Sequence, residues 1–538
     1  MPVMPQPAPR PRCAPARAFA PTRGVAAFLV LALAFALLAA SALLAGCVAD
    51  EPLKSGESDL SAVGDALGDA TASLACPPSA SAPRSSSSPS TLSADVDTAS
   101  YCILRSLVAD GYGPLDLPDG AVRTEELLNY FDYDYPAPED DELFGVSVQM
   151  GPCPWYRERA LLVIGFATEP DEYAASAGSN LVFLIDVSGS MDEPDKLPLL
   201  KDAFATLVAG LSERDRVSIV TYANDEHVVL EGAPGNEADR IMGVVDGLTA
   251  SGATNGEAGL DRAYRVAEEH FIEGGTNRII LASDGGLNVG ISSEDALHEY
   301  VDQKRKTGVY LSALGFGTAS YRDAVIETLA DHGNGAYHYI DCAEEAERVF
   351  GANLCANLVP LANDVKVQVA FNPTQVKRYR LVGYENRALA AEEFRDDDAD
   401  AGEVGSGHAF TVAYELQLTD AAFDTAEPWL TCTMRYRPAS DPDASVREQQ
   451  RTVDASSFAE QPNDDWTFAA AVIECGMKLN HAGFAGDAPL EQARELLSTI
   501  ELNEQRRGFD DLLATLVERD AARACAAPGA PRIADIAP

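Results

Sequence analysis

The sequence predicts an α/β fold: a doubly wound, mainly parallel sheet, preceded by an α+β module and followed by a β-rich module and a helical C-terminal segment. Three observations predict it. Between residues 179 and 356, short apolar runs with strand character alternate with segments whose apolar residues recur at helical spacing. Residues 361–440 switch to period two, and residues 464–520 return to helical spacing. Strands alternating with helices of this length imply a sheet covered on both faces. Ligands of such sheets bind beyond the carboxyl ends of the strands, which is where function is to be sought.

Residues 1–46 read as an address. They hold Arg10, Arg12, Arg17 and Arg23 and no acid, and Val25 to Leu44 carries no charge. As a helix that run would measure ~30 Å, enough to cross a bilayer core. It ends in Leu44-Ala45-Gly46-Cys47, an order that resembles a bacterial lipobox. The resemblance implies a signal peptide over 1–46, cleavage before Cys47 and acylation of its thiol. Two or more chains anchor stably where one binds marginally. The alternative is an uncleaved signal anchor with an incidental cysteine. Both place the rest of the chain outside the cytoplasm, lipid-anchored at the membrane in the first case. Residues 47–94, rich in Ser, Gly and Pro around Ser85-Ser86-Ser87-Ser88-Pro89-Ser90, are expected to form a flexible tether, because they offer little apolar surface to offset ordering entropy.

The expected domains are an N-terminal module over 95–170, the α/β domain over 171–358, the β-rich module over 359–455 and helices over 456–525. In the first, Thr98–Val108 and Thr124–Phe131 read as helices, and Leu143–Gln149 and Ala160–Ala167 as strands. In the second, strands are expected at Asn180–Ile185, Arg216–Tyr222, Arg278–Ala282, Val309–Gly315 and Ala336–Ile340. Helices are expected around Leu197–Leu211 and over Ala238–Leu248, Glu257–Phe271, Glu294–Lys306, Tyr321–Asp331 and Ala343–Asn357.

Lys+Arg number 40 against Asp+Glu 84, a net charge of −44. That field repels phosphate backbones, which argues against general nucleic-acid binding, and favours cations and basic partners. Eight cysteines outside the leader and anchor permit disulfides in an oxidising compartment, but no C-x-x-C pair points to structural zinc. Cys342 and Cys355 are not expected to pair, since the helix between them would be about 20 Å long against the ~7 Å Cα limit. H-E-x-x-H, G-x-S-x-G and phosphate-loop patterns are absent from the sequence.

The most informative residues follow the strand ending at Ile185: Asp186-Val187-Ser188-Gly189-Ser190. Thr254 lies in a second loop before a helix, and Asp284 ends a third strand. A hard divalent cation takes oxygen ligands, and Mg²⁺ retains waters in octahedral geometry. Ser188, Ser190 and Thr254 offer neutral hydroxyls, while Asp186 and Asp284 offer charge, through water. Neutral inner ligands leave the ion electrophilic, with a position open for a carboxylate from another protein. Asp192 and Asp195 are expected to cap the helix after the motif. Asn255 and Asn288 could hydrogen-bond to the ligands, or as readily only stabilise loops.

D-x-S-x-S after a hydrophobic strand, with Thr254 and Asp284 in order behind it, resembles the metal-ion-dependent adhesion site (MIDAS) of von Willebrand factor type A domains, whose sheet is Rossmann-like. The flanks narrow the resemblance. Asp95-Val96-Asp97-Thr98, Thr124-Glu125-Glu126-Leu127-Leu128-Asn129-Tyr130-Phe131, Phe371-Asn372-Pro373, Tyr384-Glu385-Asn386-Arg387 and Asp400-Ala401-Gly402-Glu403 are similar to the flanking modules of a bacterial lipoprotein family. Some members are labelled calcium-activated chloride channel homologues; a single leader-like apolar run cannot form an anion pathway, so the label is not adopted. One departure is Gly285-Gly286-Leu287-Asn288, where relatives often carry another acid.

The resemblance implies a metal centre of Asp186, Ser188, Ser190, Thr254 and Asp284 loaded with Mg²⁺, or Mn²⁺ or Ca²⁺. Its expected role is a membrane-anchored, extracytoplasmic module that is not an enzyme and captures an acidic group of a cell-envelope or surface protein in adhesion or docking. The alternatives are a hydrolase with Ser188 or Ser190 as nucleophile and a scaffold with a vestigial site. Two further features carry less. Asp396-Asp397-Asp398-Ala399-Asp400 reads as a solvated acidic loop, because it lacks the glycine and glutamate of a calcium loop. Tyr130, Tyr133 and Tyr135 are expected to pack against the type A domain, and His408 to sit in a turn.

Overall fold

The chain enters its described part through two short strands, β1 (Arg84–Ser85) and β2 (Ser90–Ser93), of which β2 is wholly buried. The computed structural model describes residues 82–526 except 119, 140, 171–176, 255, 286–299, 302, 318–322, 354–356, 398, 425, 440–444 and 481–488. The leader, Cys47, Cys76, Asn255, Asn288, Cys355, Asp398 and most of the helix expected at Glu294–Lys306 lie outside these residues. Among the described residues no helix is long and apolar enough to cross a membrane.

Helices α1 (Ala99–Ala109) and α2 (Thr124–Tyr130) and strands β3 (Gly145–Pro152) and β4 (Ala160–Ala167) follow. Then comes the α/β domain: β5 (Ser179–Asp186), α3 (Leu197–Ala209), β6 (Arg216–Tyr222), β7 (Glu226–Pro234), α4 (Ala238–Asp246), α5 (Gly256–Glu269), β8 (Thr276–Ser283), β9 (Tyr310–Phe316), α6 (Asp323–His332), β10 (Tyr337–Ile340) and α7 (Ala343–Glu347). Its sheet runs β10-β9-β8-β5-β6-β7, parallel except for β7, which pairs antiparallel with β6 at the edge. Strand β5 is buried along its whole length between two cores. Leu181, Phe183 and Ile185 face α3 and α4, while Val182 and Leu184 face the core that includes Leu260 and Tyr264 of α5. The chain runs outward from β5 to β6 on one side and to β8 on the other, so the switch point lies at the carboxyl end of β5, beside Asp186.

Strands β11 (Pro360–Phe371) to β17 (Arg447–Val453) complete two further sheets, with β12 (Val376–Val382), β13 (Ala388–Leu389), β14 (Gly402–Gly405), β15 (Ala409–Leu418) and β16 (Leu430–Pro438) between them. One sheet runs β1-β12-β15-β4-β3, the other β13-β2-β11-β16-β17 with β14 on β11. Their inner faces share one core that includes Leu92, Phe144, Ile164, Val367, Tyr414 and Trp429. Helices α8 (Asp464–Leu479), α9 (Leu490–Leu497) and α10 (Glu504–Ala526) close the chain, with Trp466 and Phe468 of α8 packed in the core that holds Leu161 and Val163 of β4.

This corrects the expected organisation. The segments before and after the α/β domain are not two modules: β4 pairs with β15 and β2 with β11, so they build one two-sheet body into which the α/β domain is inserted. Nor does the tether run to residue 94. Leu92 pairs with Val367 and is fully buried, because β11 supplies the partner that the serine-rich segment lacks on its own. The helix expected over Ala343–Asn357 divides into α7 and a π-helical turn, Arg348–Ala352.

Other expectations also change. Of the three tyrosines, Tyr130 reaches the α/β domain, donating to Glu345 Oε2 at 2.8 Å. Tyr133 and Tyr135 stack on each other, Tyr133 against Phe468 and Tyr135 bonded to Thr411. The acidic loop is not merely solvated: Asp397 pairs with Arg435 and Asp400 with Arg305. His408 does sit in the turn before β15, with Nε2 3.1 Å from Asn357 Oδ1; burial first, and the charge of Arg278 second, lower its pKa to about 4. Cys102, Cys153, Cys342, Cys432 and Cys475 are free thiols.

Candidate metal centre

The D-x-S-x-S loop leaves the carboxyl end of β5 and closes into a 3-10 turn, Gly189–Asp192, before α3. Asp186 is fully buried and Ser188 nearly so, whereas Ser190 is exposed. The loop is tight because Asp186 Oδ1 accepts the Ser188 backbone N–H at 2.8 Å, an Asx-type turn. Its other oxygen, Oδ2, accepts the Ser283 hydroxyl at 3.2 Å from the end of β8. The Ser188 and Ser190 hydroxyl oxygens lie 3.1 Å apart. Burial raises the Asp186 pKa, and Asp284 raises it further, against lowering by the bonds from Ser188 and Ser283. A buried carboxylate so disfavoured in its charged form is relieved by a nearby cation.

The Thr254 loop is bound to this one through its backbone. Ser251 N–H donates to Val187 O at 2.7 Å, and Gly189 N–H to Gly252 O at 3.0 Å. Gly252 has φ +88°, and a β-carbon there would fall 2.7 Å from Asn224 Nδ2, so only glycine suits the position. Asn224, just beyond β6, accepts the Ala253 N–H at 2.9 Å. Thr254 is half-buried at the end of that loop, two residues before α5 begins.

Asp284 follows β8, with its side chain nearly buried, and its Oδ2 accepts Lys196 Nζ at 3.0 Å. The same ammonium donates to Ser190 O at 2.9 Å, so one side chain bridges the first and third loops. Lys196 also takes the N-cap position of α3, where no side-chain cap forms. Asp192 is exposed and Asp195 half-buried, and neither caps that helix as expected.

The loops after β5 and β8 and the Thr254 loop between α4 and α5, held by Asn224 just beyond β6, thus meet at the switch point. Sequence patterning missed Lys196 and Asn224. The strand-end rule covered Asn224, two residues past Tyr222, but nothing local marked Lys196. Among the described residues no three His, Cys, Asp or Glu side chains gather to hold a metal. A cation here would therefore rest on serine and threonine hydroxyls with two carboxylates, a donor set suited to a hard divalent ion.

The fold and these loops define a protein of the von Willebrand type A class, and family models agree. They match residues 180–350 as "von Willebrand factor type A domain", 79–163 as "von Willebrand factor" and 356–522 as "Uncharacterized protein YfbK, C-terminal". The chain belongs to the family of the uncharacterized protein YfbK of Escherichia coli (strain K12), with which it is 36% identical over 453 residues, 80% of this chain and 77% of that one. Among solved structures, a von Willebrand factor type A protein from Catenulispora acidiphila aligns with 73% of this chain and 90% of its own, at 16% identity and a TM-score of 0.39. Proximal thread matrix protein 1 of the mussel byssus, with a zinc-occupied MIDAS motif, aligns with 32% of this chain and 44% of its own, at 20% identity and a TM-score of 0.27.

Proposed function

We propose that the chain is a lipid-anchored, extracytoplasmic protein-binding module. It holds a divalent cation, Mg²⁺ or else Mn²⁺ or Ca²⁺, at Asp186, Ser188, Ser190, Thr254 and Asp284. The loaded ion captures a carboxylate of a cell-envelope or surface protein. The carrying observation is the pair of serine hydroxyls 3.1 Å apart beside the buried Asp186, with Asp284 joined to the same loop through Lys196. Placement outside the cytoplasm rests on the uncharged run to Leu44 and on Cys47. We assign no turnover: among the described residues the two serine hydroxyls bond each other, and that of Ser188 bonds Asp186, rather than a histidine, which favours ligation over nucleophilic attack.

Titrating the full chain with Mn²⁺ tests the reading. Saturable one-to-one binding is expected, lost in the Ser188→Ala, Asp284→Ala double variant, and chelation should release a partner captured from envelope extract. Equal Mn²⁺ binding by wild type and double variant would refute the site. Partner capture indifferent to chelator would refute the role.

A further inference from the structure

We propose that Lys196 is a built-in counter-ion that weakens metal binding at this centre and makes the loaded centre net positive, so that it favours an acidic partner group. The inference rests on the metal reading above and adds what regulates that site. Lys196 is placed rather than dangling. Its ammonium lies 3.0 Å from Asp284 Oδ2 and 2.9 Å from Ser190 O, and its side chain is 17% exposed against 6% for Asp284. Its stem lies against Gly317, the residue after β9, which has φ +88°. A β-carbon there would come 2.5 Å from Lys196 Cε and 3.1 Å from Cγ. The loops after β5 and β8 and Gly317 just past β9 therefore hold one cationic side chain between them.

The consequence is electrostatic. Asp186 and Asp284 are the two acids of the candidate ligand set, and Lys196 cancels one of them. A bound dication then leaves one net positive charge, where without the ammonium the centre would be neutral. In the sequence, Asp284 is followed by Gly285-Gly286-Leu287-Asn288, none of them acidic. A fixed positive charge this near the ion opposes its binding, and the same charge attracts an incoming carboxylate. It also engages one oxygen of Asp284, which favours contact with the ion through water over direct ligation. Removing the charge should thus act in opposite directions on metal and on anion. A mere staple between loops cannot do this, since its loss would weaken both.

The test compares full-length wild type, Lys196→Gln and Lys196→Arg. Free Mn²⁺ is measured by electron paramagnetic resonance, and acetate binding to the Mn²⁺-loaded protein by acetate proton relaxation. Glutamine keeps an N–H donor for Asp284 and Ser190 but carries no charge. It should bind Mn²⁺ at least about tenfold more tightly and acetate more weakly, with arginine close to wild type. If the glutamine variant misfolds by circular dichroism, Lys196→Met takes its place. Mn²⁺ affinity unchanged or reduced in the uncharged variant would overturn the counter-ion role while leaving the metal site standing. Absence of saturable Mn²⁺ binding in all three folded proteins would overturn both.

Discussion

Replacing Arg387 with methionine should unfasten the joint between the inserted α/β domain and the two-sheet body. Its guanidinium pairs with Asp97 at 3.0 Å, Asp331 at 2.7 Å and Asp95 at 3.5 Å. Asp95 and Asp97 belong to the entry segment before α1, and Asp331 to α6 of the α/β domain. Asp97 is further fixed by the Tyr337 backbone N–H of β10, at 2.9 Å. The Asp95 and Asp97 side chains are 1% and 3% exposed, so without the arginine two buried carboxylates face a third with no counter-charge. Breaking a buried ion pair from one side costs ~3–5 kcal/mol. Asp331 is 24% exposed and can turn to water, so a loss of about 3 kcal/mol is expected near neutral pH.

The pH dependence follows from sign. Burial is the first cause raising the pKa of both Asp95 and Asp97, while Arg387 lowers both. Its removal raises them further, so the folded variant binds protons more readily than the unfolded chain. Its stability therefore recovers as pH falls toward the ordinary aspartate range. Urea denaturation followed by tryptophan fluorescence at about pH 7.5 and pH 5 measures both effects. A loss below ~1 kcal/mol at the higher pH, or one of equal size at both, would refute the reasoning.

Two further outcomes are expected. Glu474, fully buried in α8 and with neither carboxylate oxygen hydrogen-bonded among the described residues, has its pKa raised from 4.5 to about 7, chiefly by burial. It therefore costs stability increasingly as pH rises from the lower value to the upper, and Glu474→Met should gain up to ~3 kcal/mol at pH 8 and less at pH 5 in the same urea assay. Asn224→Ala removes the bond to Ala253 N–H and should loosen the Thr254 loop. Mn²⁺ affinity is expected to fall several-fold with little change in melting temperature, and an unchanged affinity would show that Asn224 does not position that loop.

The α/β domain was legible because its signals are local. An apolar run as short as Leu181–Ile185, all of it large hydrophobic residues, reads as a buried strand, and a helix start needs only its own few residues. The edge strand β7 escaped because its burial alternates weakly, with Val229 partly exposed, and it is held by pairing with β6 rather than by its own apolarity. Chemistry-bearing residues at strand ends stood out because Asp186, Ser188 and Ser190 fall within five consecutive positions. Lys196 did not, since its importance lies in reaching Asp284, a residue 88 positions away.

The sequence by itself determined most of the strands and helices of the α/β domain and which loops carry hard oxygen donors, because hydrophobic period and residue chemistry are properties of neighbouring residues. Only the tertiary structure decided that serine-rich residues before position 94 are sheet and that the flanks are one body. Only it decided that a lysine stands between two of the candidate ligand loops. Those outcomes depend on pairings such as Leu92 with Val367 and Lys196 with Asp284, where the stabilising partner is distant along the chain and the isolated segment has no preference of its own.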